Sequence, residues 1–244
     1  MKREDLGVIL GLMSDAIAIE VVQPGLKGTV TIIEPGRLER AVARRSAETR
    51  ATVPTLELSD VVDMEACLKQ EAELRCGTTA LLLGAVAHAL KTVKRMNGAY
   101  RDGRYELYSR INIGVTLLAD GLHATPVIFD ADQKSASEIS SELAEYNIRA
   151  RQAELRPSEL TGATFTVVDC SAYGIVALSP MITPPQAGAL GAGSIREAPT
   201  VRRGALVPGR TSQLALSVDH RIVHPQHGAW FLQEVKAQLE ETRV

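Results

Sequence analysis

A chain of 244 residues, 45% hydrophobic and 23% charged, is long enough for one large domain or two small ones and has the composition of an ordinary soluble globular protein. A net charge of −2 with no basic block argues against nucleic acid or an anionic membrane as a partner. Three cysteines, Cys67, Cys76 and Cys170, show no CxxC spacing, which argues against a zinc or disulfide framework and fits a reducing cytosol. The apolar run Gly7-Val-Ile-Leu-Gly-Leu-Met13 is short, and no stretch of about 18 apolar residues occurs anywhere, so a cytoplasmic protein is expected.

In chain order, apolar residues 16–22 with the breakers Gly25 and Gly28 read as short strands around turns. Leu38, Ala41, Val42 and Ala43, interspersed with Arg37, Arg40, Arg44, Arg45 and Arg50, form an amphipathic helix with a basic face that Pro54 stops. Residues 56–62 alternate as a strand, and Asp63 is placed to cap the helix carrying Met64, Cys67, Leu68, Ala72 and Leu74. Residues 80–93 lack charge until Lys91 and read as a helix buried in a core, with His88 inside it as a structural histidine. Asn97-Gly98 and Asp102-Gly103 are turn dipeptides beside short strands. Residues 111–118 and 122–129 read as strands joined across Asp120-Gly121, 135–154 as an amphipathic helix and 164–168 as a strand. Residues 180–193, with Pro184-Pro185 and several glycines, form a close-packed irregular loop leading into a strand, and 201–208 a basic hairpin. The irregular alternation of helix and strand predicts α+β or mixed α/β with a large sheet.

The chemistry gathers in residues 214–232. Leu214, Leu216 and Val218 alternate as a strand that runs into Asp219-His220-Arg221, and Trp230, Phe231, Val235 and Leu239 return at helical spacing beyond the breakers Pro225 and Gly228. A histidine at a strand end ahead of a helix suits a general base, and it also suits a satisfied structural role.

From about Thr29 to Val244 the chain resembles the catalytic domain of the dihydrolipoamide acyltransferases, the E2 components of 2-oxoacid dehydrogenase complexes, related in fold to chloramphenicol acetyltransferase. The resemblance rests on Arg40-Ala-Val-Ala-Arg-Arg45 before Val53-Pro54, Leu58-Ser-Asp-Val-Val-Asp63, and Asn112-Ile-Gly-Val115 with Pro126-Val-Ile128. It continues through Gly162-Ala-Thr-Phe-Thr166, Pro180-Met-Ile-Thr-Pro-Pro-Gln186 with Gly191-Ala-Gly193, and Leu216-Ser-Val-Asp-His-Arg221, all in the family's order. It implies a two-layer sandwich of mixed sheet and helices, assembled as a homotrimer, with the active site at the subunit interface. Coenzyme A would enter from one side and the acyl acceptor from the other, with His220 taking the proton of the attacking thiol or hydroxyl.

Three departures qualify what the resemblance implies. After Asp219, His220 and Arg221, the Asp and Gly of the family's DHRxxDG motif are His224 and Pro225, and the arginine that pairs with that Asp is Glu39. Either Glu39 and His224 pair with reversed polarity and brace the loop, or the pair is lost and the loop repacks on Pro225. The family's oxyanion serine or threonine aligns with Val168, which donates nothing; Thr166, Asp169 and Ser171 are the nearby candidates, and Cys170 reads as a bystander rather than a nucleophile. Residues 1–28 form an N-terminal extension before a catalytic domain at 29–244, and residues 14–30 look like half of a degenerate lipoyl domain with Ala16 in the lipoyl-lysine position, so no covalent lipoate is expected.

These readings together predict a stand-alone acyltransferase using acyl-CoA, most simply acetylating a hydroxyl of a small molecule such as a tetronate-like intermediate of specialised metabolism. The alternatives are an E2 core subunit served by another chain's lipoyl group and a trimeric scaffold without turnover.

Overall fold

The computed structural model describes residues 17–241 apart from Lys27, Asp120, Gly121, Ala153 and Arg203. Strands β1 (Ile17–Gly25) and β2 (Gly28–Glu34) form a hairpin, followed by α1 (Arg37–Thr52), β3 (Thr55–Asp63), α2 (Glu65–Leu74) and α3 (Thr78–Thr92). Next come β4 (Gly98–Arg101), β5 (Arg104–Leu107), β6 (Ile113–Ala119), β7 (Leu122–Ala124), β8 (Val127–Ile128) and α4 (Ala136–Arg151). The chain continues through β9 (Phe165–Asp169), β10 (Gly188–Ala192), β11 (Arg196–Arg202), β12 (Ala205–Asp219) and α5 (Pro225–Glu240). Residues Ser14, Asp15 and Ala16 of the lipoyl-like stretch, the apolar run at 7–13 and the Asp120-Gly121 turn lie outside the described residues.

One large mixed sheet organises the molecule. Its central order is β3-β12-β10-β9-β6, with β7 and β8 on β6 and β11 on the first half of β12. β9 runs parallel to both β6 and β10, and the other pairings are antiparallel. Helices α2 to α5 pack together as the second layer, and α5 lies on β3 and β12. Leu83, Val86, Phe231 and Val235 are fully buried between these layers, where each large apolar side chain contributes about 1.5–3 kcal/mol. Phe231 meets Phe165 of β9 with ring centroids 5.3 Å apart. Among the described residues, no helix is long and apolar enough to cross a membrane.

Several local expectations shift. Pro225 and Gly228 do not break the last helix. Pro225 opens α5 at its first position, where its missing N–H costs nothing, and a Cβ on Gly228 would come within 2.9 Å of Leu58, so the glycine lets the helix approach the sheet. The backbone cap of α2 is Met64 rather than Asp63, yet the Asp63 carboxylate accepts the Glu65 N–H at 3.1 Å and also binds Arg202. His88 is not inside the core; it sits on the exposed edge of α3, 3.7 Å from Glu234 of α5. Asp102-Gly103 makes the β4–β5 turn with both residues at positive φ, whereas Asn97-Gly98 is no hairpin turn and the Asn97 amide ties to the carbonyls of Tyr108 and Arg110.

Candidate active site

The end of β12 fixes His220 by its backbone. Its N–H donates to the Pro54 carbonyl at 2.9 Å, so the proline that ends α1 also anchors the strand end. Its ring Nδ1 lies 3.2 Å from the Val223 carbonyl oxygen. A carbonyl only accepts, which assigns the proton to Nδ1 and leaves the Nε2 lone pair free on an exposed side chain.

Asp219 and Arg221 flank it as a local clamp. Asp219 is 2% exposed, and its carboxylate accepts from the Arg221 backbone N–H at 3.0 Å and from the guanidinium at 2.7 Å and 2.9 Å. This carboxylate holds the Arg221 pKa above its ordinary value. The guanidinium stacks 4.8 Å over the Tyr100 ring of β4, a partner that nothing in the local sequence announced. A row of rings continues from His220: His224 at 5.6 Å, edge-on, then His227 at 5.9 Å and Trp230 at 5.8 Å. The buried Nδ1 of His227 has no hydrogen-bond partner among the described residues.

The reversed ion pair does not form within the chain. Glu39 turns its carboxylate to the Gly36 N–H at 2.8 Å, capping α1, and His224 serves as the N-cap residue of α5 between the two other imidazoles. The loop instead packs through Ile222 and Val223, both fully buried, while Pro225 opens α5 at an exposed position.

Val168 lies on a cavity of about 590 Å³ between β9, α1 and the 178–183 loop, lined in part by Arg45, Ser46, Thr166 and Cys170. Thr166 gives its only hydroxyl proton to the Gln186 side-chain oxygen at 2.7 Å, so it is not a free donor to this space. Gln186 sits in the quoted Pro-Pro-Gln segment, and only the parallel pairing of β9 with β10 brings it to Thr166. Ser171 begins a short turn beyond β9, with its N–H on Asp169 at 2.8 Å, and does not line the cavity. The Asp169 carboxylate also accepts the Thr79 hydroxyl at 2.5 Å and cannot donate. All three cysteines are buried thiols whose pKa burial raises, Cys67 to about 12, so none is activated as a nucleophile.

The register separates the two halves of the site. Val168 pairs with Gly191, and Gly191 pairs with Ala215, five residues before His220. Two strands across and five residues along amount to roughly 10 Å by 17 Å. Within one chain, His220 and Val168 therefore stand apart, two strands across and five residues along.

Known proteins share this fold. The family model for 2-oxoacid dehydrogenases acyltransferase (catalytic domain) matches residues 28–244. The dihydrolipoyllysine-residue succinyltransferase component of the 2-oxoglutarate dehydrogenase complex of Bartonella vinsonii subsp. berkhoffii is 33% identical, over 84% of this chain and 52% of that one. The chain spans about half the length of the curated relatives it matches. The dihydrolipoamide acetyltransferase of Azotobacter vinelandii superposes with a TM-score of 0.84 at 25% identity, covering 93% of this chain and 98% of that one. A chloramphenicol acetyltransferase shares the fold alone, with a TM-score of 0.51 and 15% identity over 80% of this chain and 94% of that one. In the Azotobacter enzyme a serine, a histidine and an asparagine have been investigated for roles in the catalytic mechanism; the serine precedes the histidine by 52 positions and the asparagine follows it by four. The same separations from His220 fall on Val168 and His224. Sequence and fold together place residues 28–244 in the family of 2-oxoacid dehydrogenase acyltransferase catalytic domains.

Proposed function

We propose that the protein transfers an acyl group from coenzyme A to a thiol or hydroxyl acceptor in the cytosol, with His220 as general base, in a homotrimer where His220 of one copy works over the Val168 cavity of the next. The observation that carries this reading is the state of His220: its Nδ1 proton is held by Val223, and its Nε2 lone pair is free at an exposed strand end. Nε2 takes the acceptor's proton as the acceptor attacks the thioester carbonyl, and the new bond to carbon forms. Collapse of the tetrahedral intermediate breaks the carbon–sulfur bond, and His220 returns the proton to the coenzyme A sulfur. Separation of His220 from Val168 by two strands across and five residues along supports a site shared between copies.

Val168 supplies no oxyanion donor, and the Thr166 proton is held by Gln186. Ser171, the candidate in the turn beyond β9, does not line the cavity and would take that part only after a local shift of the turn. The Bartonella and Azotobacter relatives are named for dihydrolipoyl groups, so a dihydrolipoyl thiol is the first acceptor to test. The missing donor also favours a second reading, a scaffold without turnover.

Free thiol release from acetyl-CoA, with dihydrolipoamide and a panel of small alcohols as acceptors, separates the two readings. Acyl transfer predicts that His220→Ala lowers the rate by about 10²–10⁴-fold and that Val168→Ser raises it, by up to about 10²-fold. Equal inertness of the wild type and both variants would favour the scaffold.

A further inference from the structure

Around His220 most side-chain donors are already committed. Arg221 gives its Nε and Nη2 protons to Asp219 and stacks on Tyr100. Arg95 donates to the Ile222 carbonyl at 3.3 Å and lies 5.0 Å over the Tyr105 ring, and His227 keeps its Nδ1 buried. His224 is different. Its backbone carbonyl accepts the N–H groups of His227 and Gly228 at 2.9 Å and 3.2 Å, which fixes the residue at the start of α5. Its imidazole takes no part in capping that helix and, among the described residues, makes no hydrogen bond through either ring nitrogen. The side chain is exposed and stands between His220, at 5.6 Å with the ring planes 79° apart, and His227, at 5.9 Å. Two of the three positions matched to the Azotobacter enzyme have changed together: Val168 has no hydroxyl where that enzyme has a serine, and His224 has an imidazole where it has an amide.

We infer that His224 donates the hydrogen bond to the thioester oxyanion that Val168 cannot, an inference that rests on the acyl-transfer reading with His220 as base. A neutral imidazole carries one N–H, and with neither nitrogen engaged His224 is free to turn it toward a carbonyl oxygen. The spacing suits this part. A base sits about 3 Å from the atom it deprotonates, that atom about 3–3.5 Å from the carbonyl carbon, and a donor about 3 Å from the oxyanion. Bent at the carbon, such a path brings base and donor to about the 5.6 Å that separates the two rings. No proton leaves His224: its N–H bonds to the oxygen as negative charge builds there, and lets go when the carbon–sulfur bond breaks. The loss of the serine and the gain of the imidazole are then one exchange, in which the donor moves from the cavity wall to the loop that carries the base.

The test follows CoA formation from acetyl-CoA by chromatography, with dihydrolipoamide as acceptor and the full chain as enzyme. Because the His224 side chain caps nothing, His224→Leu should keep the wild-type urea midpoint. It is expected to lower kcat about 10²-fold or more and to leave KM for acetyl-CoA unchanged. His224→Phe, which keeps a ring in the row without a donor, should behave alike and serves if the leucine variant does not fold. Of His224→Gln, whose amide reaches toward the place of Nε2, and His224→Asn, whose amide reaches toward that of Nδ1, at least one should restore most of the rate. Adding Val168→Ser should raise the rate by a larger factor in His224→Phe than in the wild type, because two donors to one oxygen are not additive. A kcat that both apolar variants leave intact, a rise in KM alone, a loss that neither amide restores, or an equal gain from Val168→Ser in both backgrounds overturns the inference. A wild type no faster than His220→Ala overturns the acyl-transfer reading instead, and the inference falls with it.

Discussion

Two carbonyls, from Pro54 and Val223, hold His220 in one orientation and one tautomer without help from any acid. Asp219, its neighbour, is committed to Arg221. His227, at the far end of the ring row, behaves differently. Burial, then the charge of Arg95 and the neighbouring His224, hold its pKa below the ordinary 6.5. The folded state thus keeps His227 neutral where the unfolded chain already takes a proton, so its contribution to stability is complete above pH 6.5 and is lost as pH falls through the lowered folded value. His227→Gln removes that dependence. Urea midpoints measured from pH 7.5 down to 5 should fall less steeply for the variant than for the wild type, and parallel profiles would show that His227 does not titrate across unfolding.

At the scale of elements, β10 owes its place to glycine. Gly191 and Gly193 face away from the helices, and the segment at 176–178 crosses directly over them: a Cβ on Gly191 would stand 2.1 Å from the Leu178 carbonyl oxygen, and one on Gly193 1.8 Å from that of Val176. Leu190, between them, faces the core and is fully buried. The two glycines let the irregular loop lie flat on the sheet and form one wall of the Val168 cavity. Gly191→Ala should cost about 1–3 kcal/mol, read as a lowered urea midpoint, because either the strand or the loop must move; a midpoint within error of wild type would mean that the loop is not pressed onto the strand. These glycines and the surrounding apolar residues were legible as a close-packed loop, since glycine spacing reports close approach. Which backbone they approach was not, because the contact is made by a segment more than ten residues away.

Across the whole molecule the decisive fact is distance. One sheet carries His220 and Val168 two strands and five residues apart, and its register fixes that separation. The proposed site joins them across two copies, and this can be tested by complementation. His220→Ala retains the cavity, and Val168→Trp, which fills the cavity, retains the base; each alone should be inactive. Co-expressed at equal levels, they should recover about a quarter of the wild-type rate, the fraction of interfaces that bring an intact His220 to an intact cavity in randomly mixed closed rings. Recovery of nothing from a confirmed mixed oligomer would place the site within one chain.

The sequence by itself determined the elements and the reacting group: the apolar periods of α3 and β12, the stop at Pro54, and an Asp219-His220-Arg221 triplet at a strand end inside a run of family motifs. Those signals are local, because periodicity, caps and short motifs act within a few residues of chain. Tertiary structure alone decided that Thr166 surrenders its proton to Gln186, that Glu39 caps its own helix rather than meeting His224, and that Arg45 stands as the lone charge among the described residues on the Val168 cavity. Each of those outcomes depends on which backbones the sheet brings side by side. Pairing register is a property of the assembled fold, and no stretch of one chain read in order contains it.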